Sequence, residues 1–125
     1  MKRLVLAAML IALLASAATA SAAGGLSGTF KTKISSGQLA GTWTIKFSHG
    51  NYKVSADGTA VVRGKYTVSG STLTMKDSGG KLACGPTGRY TFIRSGSKLK
   101  LKNTGDHTQA CAGRATVLAH TFTKA

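Results

Sequence analysis

Few residues in this chain could do acid, base or metal chemistry. Asp57, Asp77 and Asp106 are its only acids, and it has no glutamate. Asp57 precedes Gly58 and Asp77 precedes Ser78-Gly79-Gly80, so both read as turn residues. Hydrolysis of a glycosidic bond requires two carboxylates flanking it, and two of three in turns argue against that reaction. A hydrolase elbow of the Gly-x-Ser-x-Gly type is missing. His49, His107 and His120 stand far apart without metal-ligand spacing. Asp106 and His107 lie near Cys111 and could ligate a metal, but a polar loop is the expected reading. The chain is therefore expected not to be an enzyme, with no cofactor and no metal.

The two cysteines lie apart, Cys84 in Ala-Cys-Gly-Pro and Cys111 in Ala-Cys-Ala, which fits neither a redox pair nor a zinc site. Their compartment decides their state. Lys2 and Arg3 precede the apolar run Leu4 to Leu14, and Ala15 to Ala22 are small residues. This is the order of a cleavable secretory signal, and the run is shorter than the ~20 apolar residues a spanning helix needs. The expected organisation is a signal peptide over 1–22 and a single domain over 23–125, with no membrane span after cleavage. Secretion or release into a periplasm is expected. In such a compartment an even cysteine count reads as a disulfide, Cys84–Cys111, contributing about 3 kcal/mol by loop closure.

Alternation along the chain supplies the scaffold. Phe30 and Ile34 flank Lys31 and Lys33; Trp43, Ile45 and Phe47 flank Thr44 and Lys46; Tyr52, Val54 and Ala56 flank Lys53 and Ser55. Val62, Gly64, Tyr66 and Val68 continue the rhythm, as do Leu73 with Met75, Tyr90 with Phe92, and Leu99 with Leu101. Period-2 alternation puts one face in a core and the other in water. Turn chemistry such as Asp57-Gly58 and Ser69-Gly70 recurs about every ten residues, the spacing of consecutive hairpins. A last strand is expected over about Arg114 to Thr123, and no amphipathic helix after the signal. The expected fold is all-β: a small antiparallel up-and-down barrel of about eight strands with one disulfide, since closure removes exposed edges. A two-sheet sandwich is the alternative.

Gly41-Thr42-Trp43 opens a strand and resembles the Gly-x-Trp signature of lipocalins and related calycin barrels. The resemblance implies that Trp43 plugs one barrel end and that a late arginine, here Arg114, packs over it as a structural pair. The tail Asp106 to Arg114 looks like that of small exported bacterial barrels. A fainter resemblance, to exported inhibitors of secreted metalloproteases, implies action through an N-terminal arm, Gly24 to Ser27, or a hairpin loop.

A barrel of this size is either filled by side chains or holds one small ligand. If it holds one, Trp43, Tyr52, Tyr66, Tyr90 and Phe92 are the expected interior contacts, because a buried tyrosine hydroxyl needs a partner. Outside, charge dominates. Setting Lys2 and Arg3 aside, the 17 basic residues become 15 against three acids, so the net charge goes from +14 to +12. Lys98, Lys100 and Lys102 with Arg94 form the densest basic stripe and the candidate contact for an anionic envelope polymer. Specific nucleic-acid binding is not expected, because the parity turns the lysines outward and the aromatics inward, whereas single-strand binders put both on one surface. The expected function is a monomeric, calycin-like binding protein for a small apolar molecule inside or an anionic polymer outside; the alternative is an inhibitor of secreted proteases.

Overall fold

The computed structural model describes residues 25–125, and the signal peptide expected over 1–22 lies outside them. The alternating runs form eight antiparallel strands that close in chain order: β1 (Gly28–Ile34), β2 (Gly41–Ser48), β3 (Asn51–Ala56), β4 (Thr59–Ser69), β5 (Thr72–Gly79), β6 (Gly88–Ser95), β7 (Lys98–Asn103) and β8 (Phe122–Lys124). β8 pairs with both β7 and β1, so closure replaces the two edges of an open sheet. The barrel reading is therefore the observed fold, not the sandwich. No helix of the described residues is long and apolar enough to cross a membrane.

Burial follows the alternation. Phe30, Ile34, Trp43, Ile45, Phe47, Tyr52, Tyr66, Val68, Leu73, Met75, Tyr90, Leu99 and Leu101 are buried, while the lysines between them are exposed. The parity breaks in β4, where Val61 is buried and Val62 only half-buried. Two register shifts explain this, one between Val54 and Ser55 opposite β4 and one between Arg63 and Gly64 opposite β5. Bulges of this kind bend the strand and re-aim side chains, and both lie towards the same barrel end.

That end is capped. Cys111 closes a short 3-10 turn (Gln109–Cys111), and helix α1 (Ala112–Leu118) follows it directly. The strand expected over about Arg114 to Thr123 is thus a helix and then the three-residue β8. The helical face is readable afterwards: Cys111, Arg114, Val117 and Leu118 have the 3-and-4 spacing of one helix side. Val117 and Leu118 are buried and Thr116 bonds back to the Ala112 carbonyl at 2.9 Å. Cys84, in the loop between β5 and β6, is bonded to Cys111, 27 residues away with Cα atoms 5.4 Å apart. The bridge fastens the helical cap to the barrel rim. At the opposite end Leu26, Phe30, Phe47 and Tyr66 fill the interior, with the Phe47 and Tyr66 rings edge-to-face at 5.0 Å.

Candidate functional site

Beneath the cap lies a cavity of about 170 Å³. Its walls come from the barrel (Trp43, Val54, Val62, Met75), from the β1–β2 loop (Leu39) and from α1 (Leu118), and are apolar. Leu82, half-exposed in the β5–β6 loop, stands at its rim with the disulfide residue Cys84. Trp43 is fixed in place: its indole Nε1 donates to the Leu39 carbonyl at 2.7 Å.

One side of the cavity is polar. Tyr52, Asp77 and Arg114 line it. Asp77 is the last inward residue of β5, following Leu73 and Met75 at the same parity, and it is buried. The turn reading of Asp77 is therefore corrected, because the strand runs on to Gly79. Tyr52 donates its hydroxyl to Asp77 Oδ1, and the Cys84 amide donates to Oδ2 at 2.8 Å. The tyrosine reaches that far because it crosses Gly64, where any Cβ would sit 2.5 Å from the Tyr52 ring and hydroxyl.

Arg114 enters from α1, and its side chain is 8% exposed. Its Nε and Nη2 clamp Asp106 at 2.7 and 2.8 Å, and Nη2 also donates to the Pro86 carbonyl at 2.8 Å. Asp106 is buried, accepts the Tyr90 hydroxyl, and is held by a turn in which its amide donates to Asn103 Oδ1 at 2.8 Å. The expected polar loop at Asp106 is thus a buried charge pair with no metal-ligand grouping: no cluster of three His, Cys, Asp or Glu forms among the described residues. Gly88 underlies the pair, since a Cβ there would meet Arg114 Nη2 and an Asp106 oxygen at 2.7 Å. The third nitrogen, Nη1, faces Asp77 Oδ1 at 3.5 Å and has no hydrogen-bond partner among the described residues.

The environment sets the protonation states. Burial, then the hydrogen bonds and charges of Asp77 and Asp106, hold the Tyr52 and Tyr90 phenols far above their ordinary value. Burial pushes Asp106 up, but the Arg114 and Tyr90 hydrogen bonds and the Arg114 charge outweigh it and bring its carboxyl below the ordinary value. Burial acts to lower Arg114, and the Asp106 hydrogen bonds and charge reverse that, raising it.

Among the residues singled out from the sequence, the fold brings Trp43, Tyr52 and Arg114 to one cavity. Trp43 and Arg114 share its lining, and their polar atoms have separate partners, Leu39 for one and Asp106 with Pro86 for the other. Tyr66 lies at the far end and donates to the Leu26 carbonyl at 2.6 Å; Tyr90 is turned to Asp106; Phe92 is a half-buried part of the core wall. The Leu26 of the expected N-terminal arm is fully buried, so this part of the segment plugs the barrel and does not project. Lys98, Lys100 and Lys102 are exposed on β7. Arg94 does not join them: it pairs across from the buried Leu99, and its guanidinium lies 4.9 Å from the Phe30 ring centre. Asp77 was missed as a site residue.

No protein-family model, curated protein or solved structure matches the chain.

Proposed function

We propose that this chain is an exported, non-enzymatic, calycin-like barrel that binds one small, largely apolar molecule beneath its helical cap. The cavity carries the reading. An apolar void of 150 Å³ holds benzene in an engineered protein, and the cavity here, at about 170 Å³, exceeds one or two waters. It has the character of small-molecule sites, apolar walls with a few convergent polar groups. The acids are engaged structurally: Asp57 accepts the Thr42 amide at 2.8 Å, and Asp77 and Asp106 are hydrogen-bonded, which favours binding over acid–base catalysis.

Trp43 is the single tryptophan, so its fluorescence reports the cavity wall directly. Titration with ethylbenzene is expected to give a saturable change in that emission. Val62→Phe, which fills the cavity from β4, is expected to abolish the change without unfolding the barrel. An unsaturable response, or one that persists in Val62→Phe, would remove the cavity as the site.

A further inference from the structure

The mouth of the cavity and its limited depth define what enters it. Of the lining residues, Leu82, Ala110 and Gly113 are exposed, so the cavity opens between the β5–β6 loop and the start of α1. The side chains at that mouth are apolar. Inside, the polar wall is spent on itself: Tyr52 bonds Asp77, Asp77 also takes the Cys84 amide, and Arg114 is closed off between Asp77, Asp106 and the Pro86 carbonyl. A polar head drawn inside would lose its water without gaining a partner, which is costly. The interior therefore suits carbon. A void of 150 Å³ holds the six carbons of benzene, so about 170 Å³ takes about six as well. Each buried methylene is worth about four-fold in affinity. Six carbons alone thus reach a Kd on the order of 0.1 mM, before the cost of immobilising the ligand. Tighter binding requires a ligand that continues out through the mouth.

We propose that the cavity takes the tail of a single-chain anionic amphiphile, whose chain leaves past Leu82 and whose head stays outside, against the cations of the β5–β6 loop. This rests on the small-molecule reading above and specifies its ligand. Leu82, 50% exposed, offers apolar surface to the emerging chain. Lys81 precedes it, and Lys76 donates to the Gly85 carbonyl of the same loop at 2.8 Å. Arg63 lies against Gly79 at the end of β5, where a Cβ would meet its Nη2 at 2.6 Å. All three cations are exposed. The exposed acid, Asp57, sits on the β3–β4 turn and accepts the Thr42 amide, so the field at the loop favours an anion. Area decides against a protein partner. A stable interface buries roughly 800 Å² a side around an apolar centre. The large exposed hydrophobics among the described residues are Leu82 and Ile93, and Ile93 does not line the cavity.

Straight-chain alkanoates from butanoate to decanoate test this, each titrated at neutral pH and low salt into the disulfide-bonded protein and read by Trp43 emission. Affinity is expected to rise about four-fold per methylene up to a tail of about six carbons, and about two-fold or less per methylene beyond it. Octanedioate, charged at both ends, is expected to give no saturable change, because one carboxylate would have to enter. Octyltrimethylammonium is expected to bind about five-fold more weakly than octanoate, the worth of one close ion pair in water, and salt is expected to close that gap. Leu82→Ser, a change at an exposed position, is expected to weaken decanoate several-fold and leave butanoate unchanged. Octanedioate binding as tightly as octanoate, or an octanoate response that persists in Val62→Phe, overturns the tail-first proposal. Equal binding of octyltrimethylammonium and octanoate overturns the anionic head. Saturable ethylbenzene binding with no response to any alkanoate overturns the amphiphile and leaves the binding function standing. No response to ethylbenzene or to any alkanoate overturns both.

Discussion

Five side chains at the capped end, Tyr52, Asp77, Tyr90, Asp106 and Arg114, are joined through hydrogen bonds and ion pairs into one buried network. Its response to pH follows from the direction of each shift. The unfolded chain releases tyrosine protons near the ordinary value of 10.0, while folded Tyr52 and Tyr90 retain theirs. Their contribution to stability is present in full below that pH and is lost as pH rises beyond it. Asp106 behaves oppositely: with its folded value below the ordinary 3.8, its contribution holds above that pH and is lost as pH falls through the folded value. Tm is expected to drop between about pH 9 and about pH 11, and Tyr90→Phe to drop less over that window. Identical slopes in the two proteins would show that the Tyr90 proton is not linked to folding. Gly88→Ala inserts a methyl against the Arg114–Asp106 pair and is expected to cost about 1–3 kcal/mol by denaturant unfolding; an unchanged midpoint would mean that the pair shifts freely. Part of this network was legible from the sequence. Leu73, Met75 and Asp77 share one parity, so the strand pattern itself aims Asp77 inward; the following Ser-Gly-Gly masked this by reading as a turn. Asp106 carries no such mark, because its burial depends on a turn around Asn103 and an arginine from another element.

The elements that build the cavity differ in how they are held. The strands are fixed by ladders on both sides, whereas α1 spans two turns and a helix that short is marginal without tertiary support. Its support is Val117 and Leu118 in the core, Arg114 on Asp106, and the bond from Cys111 to Cys84. Reduction is therefore expected to lower Tm by more than about 10 °C, the equivalent of about 3 kcal/mol in a domain of this size. It should also weaken ethylbenzene binding, because the bond ties the helical cap to the loop that carries Leu82. Unchanged melting and binding on reduction would show that packing alone seats the cap. The barrel was legible from the sequence and α1 was not, for a physical reason. Seven residues are too few to establish a 3.6 period, and Ala115, Val117 and Ala119 mimic strand alternation. The covalent link to Cys111 and the inward Arg114 override that local ambiguity.

At the scale of the whole molecule, burial of the network changes the charge of the surface. Asp77 and Asp106 are withdrawn with Arg114, which leaves Asp57 as the only exposed acid among the described residues, against 14 exposed lysines and arginines. These cations run around the barrel on the outward parity of nearly every strand. Lys46, Lys53 and Arg63 sit beside one another across β2, β3 and β4, as like charges that would repel without an anion or salt nearby. The β7 stripe of Lys98, Lys100 and Lys102 is thus one of several, and Arg94, turned onto Phe30, is not part of it. A shell of this kind attracts polyanions by counterion release and without a defined site, so affinity falls linearly on a log–log scale with salt. Heparin retention is accordingly expected at low salt and lost in moderate salt. Replacing Lys98, Lys100 and Lys102 with glutamate should reduce retention by the same amount as replacing Lys46, Lys53 and Arg63. A much larger loss from the β7 set, or retention that survives high salt, would instead localise a specific anion-binding face on β7. Equal losses would leave the cavity as the place where this barrel discriminates, since a shell that binds every polyanion alike selects none.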